Sequence, residues 1–202
     1  MSGGSAARRN AAVIFAAALL GLAGTRTAYA DAEAGRLKAQ ICVACHGPGG
    51  NSANPAVPTL AAQPQQFIVT QLFMFREGKR INTPMYPVVA NLSNGDLNDL
   101  AAYFSAQPHA APAHISTPEI AAAGRRISER YNCTACHGRT LLGQQHIPRL
   151  AGQQAEYLRA QLRGFKASTR FDMDGNMTSA AQDLSDADIE ILADYLSGLG
   201  AP

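Results

Sequence analysis

Cys42-Val43-Ala44-Cys45-His46 returns as Cys133-Thr134-Ala135-Cys136-His137, and a glycine follows each copy, at Gly47 and Gly138. Two thiols one helical turn apart with a histidine directly behind them suit covalent haem: the thiols form thioethers to the two vinyl groups, and the histidine reaches the iron. Other uses of four cysteines fit less well. Two disulfides are the ordinary expectation for an exported chain, yet all four thiols fall into two identical modules. A thioredoxin-like pair needs a strand-helix context and no histidine, and a zinc site needs a second Cys/His pair at finger-like spacing. The spacing therefore predicts two haem c groups, attached at Cys42 and Cys45 and at Cys133 and Cys136, with His46 and His137 as iron ligands.

The motif sits inside a longer repeat, which points to duplication of a whole domain. Pro58-Thr59-Leu60-Ala61-Ala62-Gln63 recurs as Pro148-Arg149-Leu150-Ala151-Gly152-Gln153, 90 residues on. Phe67, Gln71, Leu72 and Phe75 recur at the same offset as Tyr157, Gln161, Leu162 and Phe165. Later, Leu92-Ser93, Asp96-Leu97, Ala101 and Tyr103 match Leu184-Ser185, Asp188-Ile189, Ala193 and Tyr195 at an offset of 92. The order is kept and the offset drifts only in loops. The reading is an N-terminal domain over 31–106, a polar, proline-bearing linker over 107–117 and a C-terminal domain over 118–202.

Each copy reads as three helical stretches, with no strand pattern, so the expected fold class is all-α. One helix enters the Cys motif. The middle helix places Phe67, Ile68, Leu72 and Phe75, and in the second copy Tyr157, Leu158, Leu162 and Phe165, on one face, with Pro64 in its first turn. The closing helices start at Ser93-Asn94-Gly95-Asp96 and Ser185-Asp186-Ala187-Asp188, where serine caps and the acid favours the first turn. Leu97, Leu100, Ala101 and Phe104, with Ile189, Leu192, Ala193 and Leu196, give each an inward face. Thr117-Pro118 starts the second copy's first helix.

Residues 1–30 read as an export signal: Arg8 and Arg9, a short apolar run from Ala11 to Ala23, then Ala28-Tyr29-Ala30 as a small-x-small cleavage pattern. The apolar run is too short for a spanning helix, with an uncleaved anchor as the alternative. Residues after the arginine pair match the twin-arginine consensus poorly, which favours general secretion. Cleavage before Asp31 would change the formal charge from +2 to −1, with 14 basic and 15 acidic residues remaining. Ionised haem propionates would make the holoprotein more negative still, so the sequence pI of 8.4 gives no argument for nucleic-acid binding. At 202 residues with 47% apolar content, each half is small enough to need a cofactor for useful stability.

A second axial ligand separates electron carriers from oxygen or peroxide chemistry. Met85 and Met177 each precede the Leu-Ser of a closing helix by seven residues, and this matched placement makes them the expected ligands. Met74 lies in the middle helix, where methionine fills core, and neither it nor Met173 has a counterpart in the other copy. The carbonyls of Pro58 and Pro148 are candidates for accepting the other ring N–H of each haem histidine, the alternative being that these prolines only shape their loops. His109 and His114 fall in the linker, where exposure is expected, and His146 aligns with Ala56. Lys79, Arg80, Lys166 and Arg170 suit a helix C-terminus, with partner docking or propionate contact as alternatives.

Taken together, Cys-x-x-Cys-His-Gly, Pro-x-Leu-Ala-x-Gln, the Gln-Leu-x-x-Phe helix, the pre-helix methionine and Leu-Ser closely resemble the dihaem cytochrome c4 family across Asp31 to Pro202. The resemblance implies two class I cytochrome c domains related by a pseudo-twofold, in a periplasmic electron carrier, loosely membrane-associated in some members. It further implies a redox-protein donor and acceptor, a quinol-oxidising complex and a terminal oxidase. Two departures stand out: Ala62 replaces the usual glycine of Leu-Ala-Gly-Gln, and Arg80 to Met85 is two residues shorter than Arg170 to Met177. Competing readings are the dihaem subunit of a flavocytochrome sulfide dehydrogenase and a dihaem peroxidase, the latter disfavoured by two matched methionines.

Overall fold

The computed structural model describes residues 1, 30–82 and 84–200, so the expected export signal, Met1 and Ala30 apart, lies outside the described residues. Among the described residues all regular structure is helical, with one isolated bridge between Gln144 and Ile147. The N-terminal unit holds α1 (Ala32–Lys38), α2 (Gln40–His46), a 3-10 turn (Pro48–Gly50), α3 (Gln65–Arg76), α4 (Met85–Val89) and α5 (Asn94–Ser105). The C-terminal unit repeats the plan with α6 (Pro118–Arg130), α7 (Cys133–His137), α8 (Ala155–Lys166), α9 (Asn176–Ala181) and α10 (Asp186–Ser197).

The closing helices begin where local chemistry directs. Ser93 Oγ accepts from Asp96 N at 3.2 Å while Ser93 N donates to the Asp96 carboxylate at 2.8 Å, a reciprocal cap repeated by Ser185 and Asp188. Thr117 Oγ1 accepts from Ile120 N, and Pro118 takes the first helical position. Pro64 stands one residue outside α3 as its N-cap, with ψ 133. The short helices α4 and α9 were not expected: five and six residues are too few to carry a 3.6-residue period.

Each closing helix is the spine of its core. Leu100, Ala101 and Phe104 of α5 bury against Ile68 of α3, and Ile189, Leu192 and Leu196 of α10 against Leu158, Leu162 and Phe165 of α8. The entry helices cross close. A Cβ on Gly35 would stand 2.0 Å from the Asp99 carbonyl oxygen, and one on Gly124 2.3 Å from Tyr195 Cβ. Lys38 ties α1 to α5 with ion pairs of 2.6 Å to both Asp96 and Asp99.

The units join through two reciprocal amide clasps. The Gln63 side chain donates to Arg149 O at 3.0 Å and accepts from Arg149 N at 3.0 Å, while Gln153 donates to Thr59 O at 2.9 Å and accepts from Thr59 N at 2.8 Å. Gln63 and Gln153 are repeat equivalents, as are Thr59 and Arg149, so the exchange has pseudo-twofold symmetry. Both glutamines are only 4% exposed, which makes each bond costly to lose. The preceding residue of one clasp is strained: Ala62 holds φ 54, a left-handed conformation that its counterpart Gly152 adopts at φ 73 without a Cβ.

Candidate haem-binding sites

α2 and α7 each end on a motif histidine, with the two thiols on the same short helix, so the Cys-x-x-Cys-His spacing becomes one turn of helix. His46 Nδ1 lies 2.8 Å from Pro58 O, and His137 Nδ1 lies 2.9 Å from Pro148 O. With Nδ1–H donating to a carbonyl, the proton is fixed there and Nε2 becomes the basic nitrogen, the state a metal ligand needs. Burial lowers both histidine pKa values, with the carbonyls opposing, so the neutral imidazole is favoured. None of the four cysteines pairs in a disulfide. Before haem is attached, burial pushes the Cys42 thiol up to about 11 and raises Cys133 as well.

The methionines separate by position. Met85 is the first residue of α4 and Met177 the second of α9, both partly buried, and Met177 packs against the C-terminal core. Met74 is 3% exposed inside the N-terminal domain, and Met173 is 59% exposed on the loop before α9. Among the described residues no group of three or more His, Cys, Asp or Glu could hold a bare metal ion. His114 is exposed, 3.6 Å from Asp194, and His146 lies 3.6 Å from Asp174. His109 departs from its expected exposure. Its ring is half-buried over Gly152, because Asn51 holds the linker against the N-terminal domain through Pro108 O at 3.0 Å and Ala110 N at 2.8 Å.

The arginines do more than finish helices. Arg80 donates to Gln71 at 2.6 Å within its own domain, and across the boundary to Tyr157 Oη at 3.0 Å and Gln161 at 2.9 Å. Arg170 also donates to Gln161, and each guanidinium stacks on the phenylalanine of its own middle helix, Phe75 or Phe165. Burial pushes Arg170 down to about 10, with Tyr157 opposing, and its Nε is buried without a partner. Lys166 instead donates to Leu184 O. The role of Gln63 and Gln153 across the domain boundary and the Arg80–Tyr157 contact were missed from sequence, although a glutamine at the same place in both copies of the repeat was the available signal.

The residues present fit haem c. Each domain offers two adjacent free thiols and a neutral histidine with Nδ1 already engaged, and the boundary holds guanidiniums hydrogen-bonded only to neutral groups, an environment that suits ionised propionates. Such a pair of helical domains, each with a Cys-x-x-Cys-His helix, defines a dihaem c-type cytochrome.

The "Cytochrome c" family model matches residues 32–107 and again 121–200. Cytochrome c4 of Pseudomonas aeruginosa is 39% identical over 190 residues, covering 89% of this chain and 94% of that protein. A thiosulfate dehydrogenase electron acceptor of Thiomonas intermedia is 36% identical over 172 residues, 79% of each chain. The crystal structure of reduced recombinant cytochrome c4 from Pseudomonas stutzeri superposes with a TM-score of 0.77 at 35% identity, over 84% of this chain and 98% of that one. The chain belongs to the cytochrome c4 family. It therefore carries two covalently bound haem c groups and is an electron carrier, not an enzyme.

Proposed function

We propose that Cys42, Cys45, Cys133 and Cys136 attach the two haems, that His46 and His137 ligate through Nε2, and that Met85 and Met177 supply the second axial ligands. The carrying observation is the duplicated histidine-to-carbonyl bond, at 2.8 Å to Pro58 and 2.9 Å to Pro148, together with methionines at the first and second positions of equivalent short helices. Haem, when bound, supplies a one-electron iron couple that changes oxidation state without making or breaking bonds. The chain's part is to hold each imidazole neutral and oriented, to exclude water with the α5 and α10 cores, and to keep the two domains docked through Gln63 and Gln153. Histidine–methionine ligation raises both potentials relative to bis-histidine ligation.

In this reading the chain is exported to the periplasm, mature from Asp31 with domains over 31–106 and 118–202. It carries electrons from a quinol-oxidising complex toward a terminal oxidase, on occasion at the membrane surface. A second reading, favoured by the similarity to thiosulfate dehydrogenase electron acceptors, makes the donor a sulfur-oxidising enzyme. An optical redox titration of the holoprotein with M85A and M177A tests the ligands: each variant should remove one methionine–iron charge-transfer signal, and a bis-histidine spectrum in the parent would sink the assignment. Stopped-flow reduction by a quinol-oxidising complex, compared with a thiosulfate dehydrogenase, discriminates the donors.

A further inference from the structure

Asn82 and Asp172 stand 90 residues apart, in register with the repeat, and each meets the backbone N–H of the methionine assigned above as ligand. Met85 N donates to Asn82 Oδ1 at 3.2 Å, sharing its proton with the Asn82 carbonyl at 3.0 Å. Asp172 grips harder. Its Oδ2 accepts from Met177 N at 2.8 Å, and its Oδ1 accepts from Thr178 N at 3.0 Å and from the Thr178 hydroxyl at 2.6 Å. Bonds to an ionised acceptor are about twice as strong as those between neutral groups.

The difference follows the loops. The second ligand loop is two residues longer, and its tip, Met173, is largely exposed. Gly175 turns the chain through φ 74 into α9, and Asp174 Oδ1 accepts from Asn176 N at 3.3 Å. A longer loop has more conformations to lose, so a ligand at its end needs a firmer anchor to stay in place. Asp172, five residues before Met177, spans that stretch in one step.

We propose that Asp172 is a positioning residue for the second haem: its carboxylate clamps the backbone of Met177 and Thr178, and thereby keeps the methionine presented to the iron. The proposal rests on Met177 being the axial ligand. A plain helix cap would add stability to α9 without altering ligation, whereas a clamp sets how readily ferric iron loses its methionine.

The test uses the holoprotein with both haems in place, as the parent, D172A, D172N and M177A. The measurement is the pH at which each ferric haem loses its methionine–iron absorption, with ferrous NMR of the ligated methionine methyl groups assigning the signals. D172A, which removes the bond to Met177 N together with both bonds to Thr178, should lower the second haem's midpoint by about one pH unit, a roughly tenfold weakening of methionine ligation. D172N, which keeps an acceptor oxygen, should shift it less and in the same direction. The first haem, ligated by Met85 in the same molecule, should not move. A second-haem midpoint unchanged in D172A, or one lowered equally at both haems, overturns the clamp; should D172A not take up haem, an unshifted D172N does so. M177A separates the two claims: survival of the second methyl signal there refutes the ligand, whatever Asp172 does.

Discussion

The middle and closing helices of the two domains carry the same inner face and different outer faces. Inside, Ile68, Leu72, Phe75 and Leu100 correspond to Leu158, Leu162, Phe165 and Leu192, and the glutamine clasps are reciprocal. Outside, Val69, Phe73 and Asn98 of the first domain become Arg159, Arg163 and Glu190 of the second, where Glu190 receives both arginines at 2.7 Å. The apolar version is the one that has a neighbour: Val69, Phe73 and Leu97 line a groove together with Met173 of the loop before α9. The charged version faces solvent. Duplication kept what the haem and the domain contact require, and the surface changed according to what lies against it.

The largest break in this comparison should come at the helix crossings. G35A and G124A force a Cβ into the opposing helix, costing about 3 kcal/mol or more, since overpacking of 1–3 kcal/mol assumes neighbours that can yield. G35A should be the worse of the two, because it meets the Asp99 backbone carbonyl at 2.0 Å rather than a side-chain atom. Calorimetry of each variant against the parent checks the order.

Next come the clasps. Q63A and Q153A each strand a backbone N–H and carbonyl in a buried contact and should cost roughly 2 kcal/mol apiece. The double variant should split thermal unfolding into two transitions; a single transition would mean that the Arg80, Tyr157 and Gln161 contacts dock the domains unaided.

Acid should sharpen the contrast. Hydrogen bonds from Lys38 and Ser93 hold the Asp96 carboxyl at about 2, whereas its counterpart Asp188, lowered chiefly by Ser185, has Tyr131 in place of a lysine. A carboxylate depressed in the folded state contributes stability above its unfolded pKa of about 3.9 and loses it as pH falls through the folded value. The N-terminal domain of the parent should therefore lose stability between about pH 4 and pH 2 more steeply than that of K38M, followed by circular dichroism melts.

The smallest effect belongs to the outer face. E190Q breaks the Arg159 and Arg163 pairs, both partly exposed, and should change stability by less than about 1 kcal/mol, fading at high salt.

Much of the site was legible because it is local. Cysteines three apart and a histidine behind them specify attachment through one turn of helix, and Ser93 with Asp96, or Ser185 with Asp188, start their helices through bonds three residues long. By register the repeat offers Met85 and Met177 as the candidate second ligands. α4 and α9 escaped notice because they are held by Asn82 and Asp172 rather than by an apolar period.

The sequence by itself determined the chemistry: two haem attachment sites, a duplicated helical domain and a matched pair of methionines, all encoded in short spacings that act before the chain is folded. Only the tertiary structure decided how the halves meet. Gln63 reaches Arg149 and Gln153 reaches Thr59 across 86 and 94 residues, Arg80 crosses to Tyr157, and His109 settles over Gly152. Such contacts join groups far apart along the chain, and no local period records them, because they form only once two finished surfaces are pressed together.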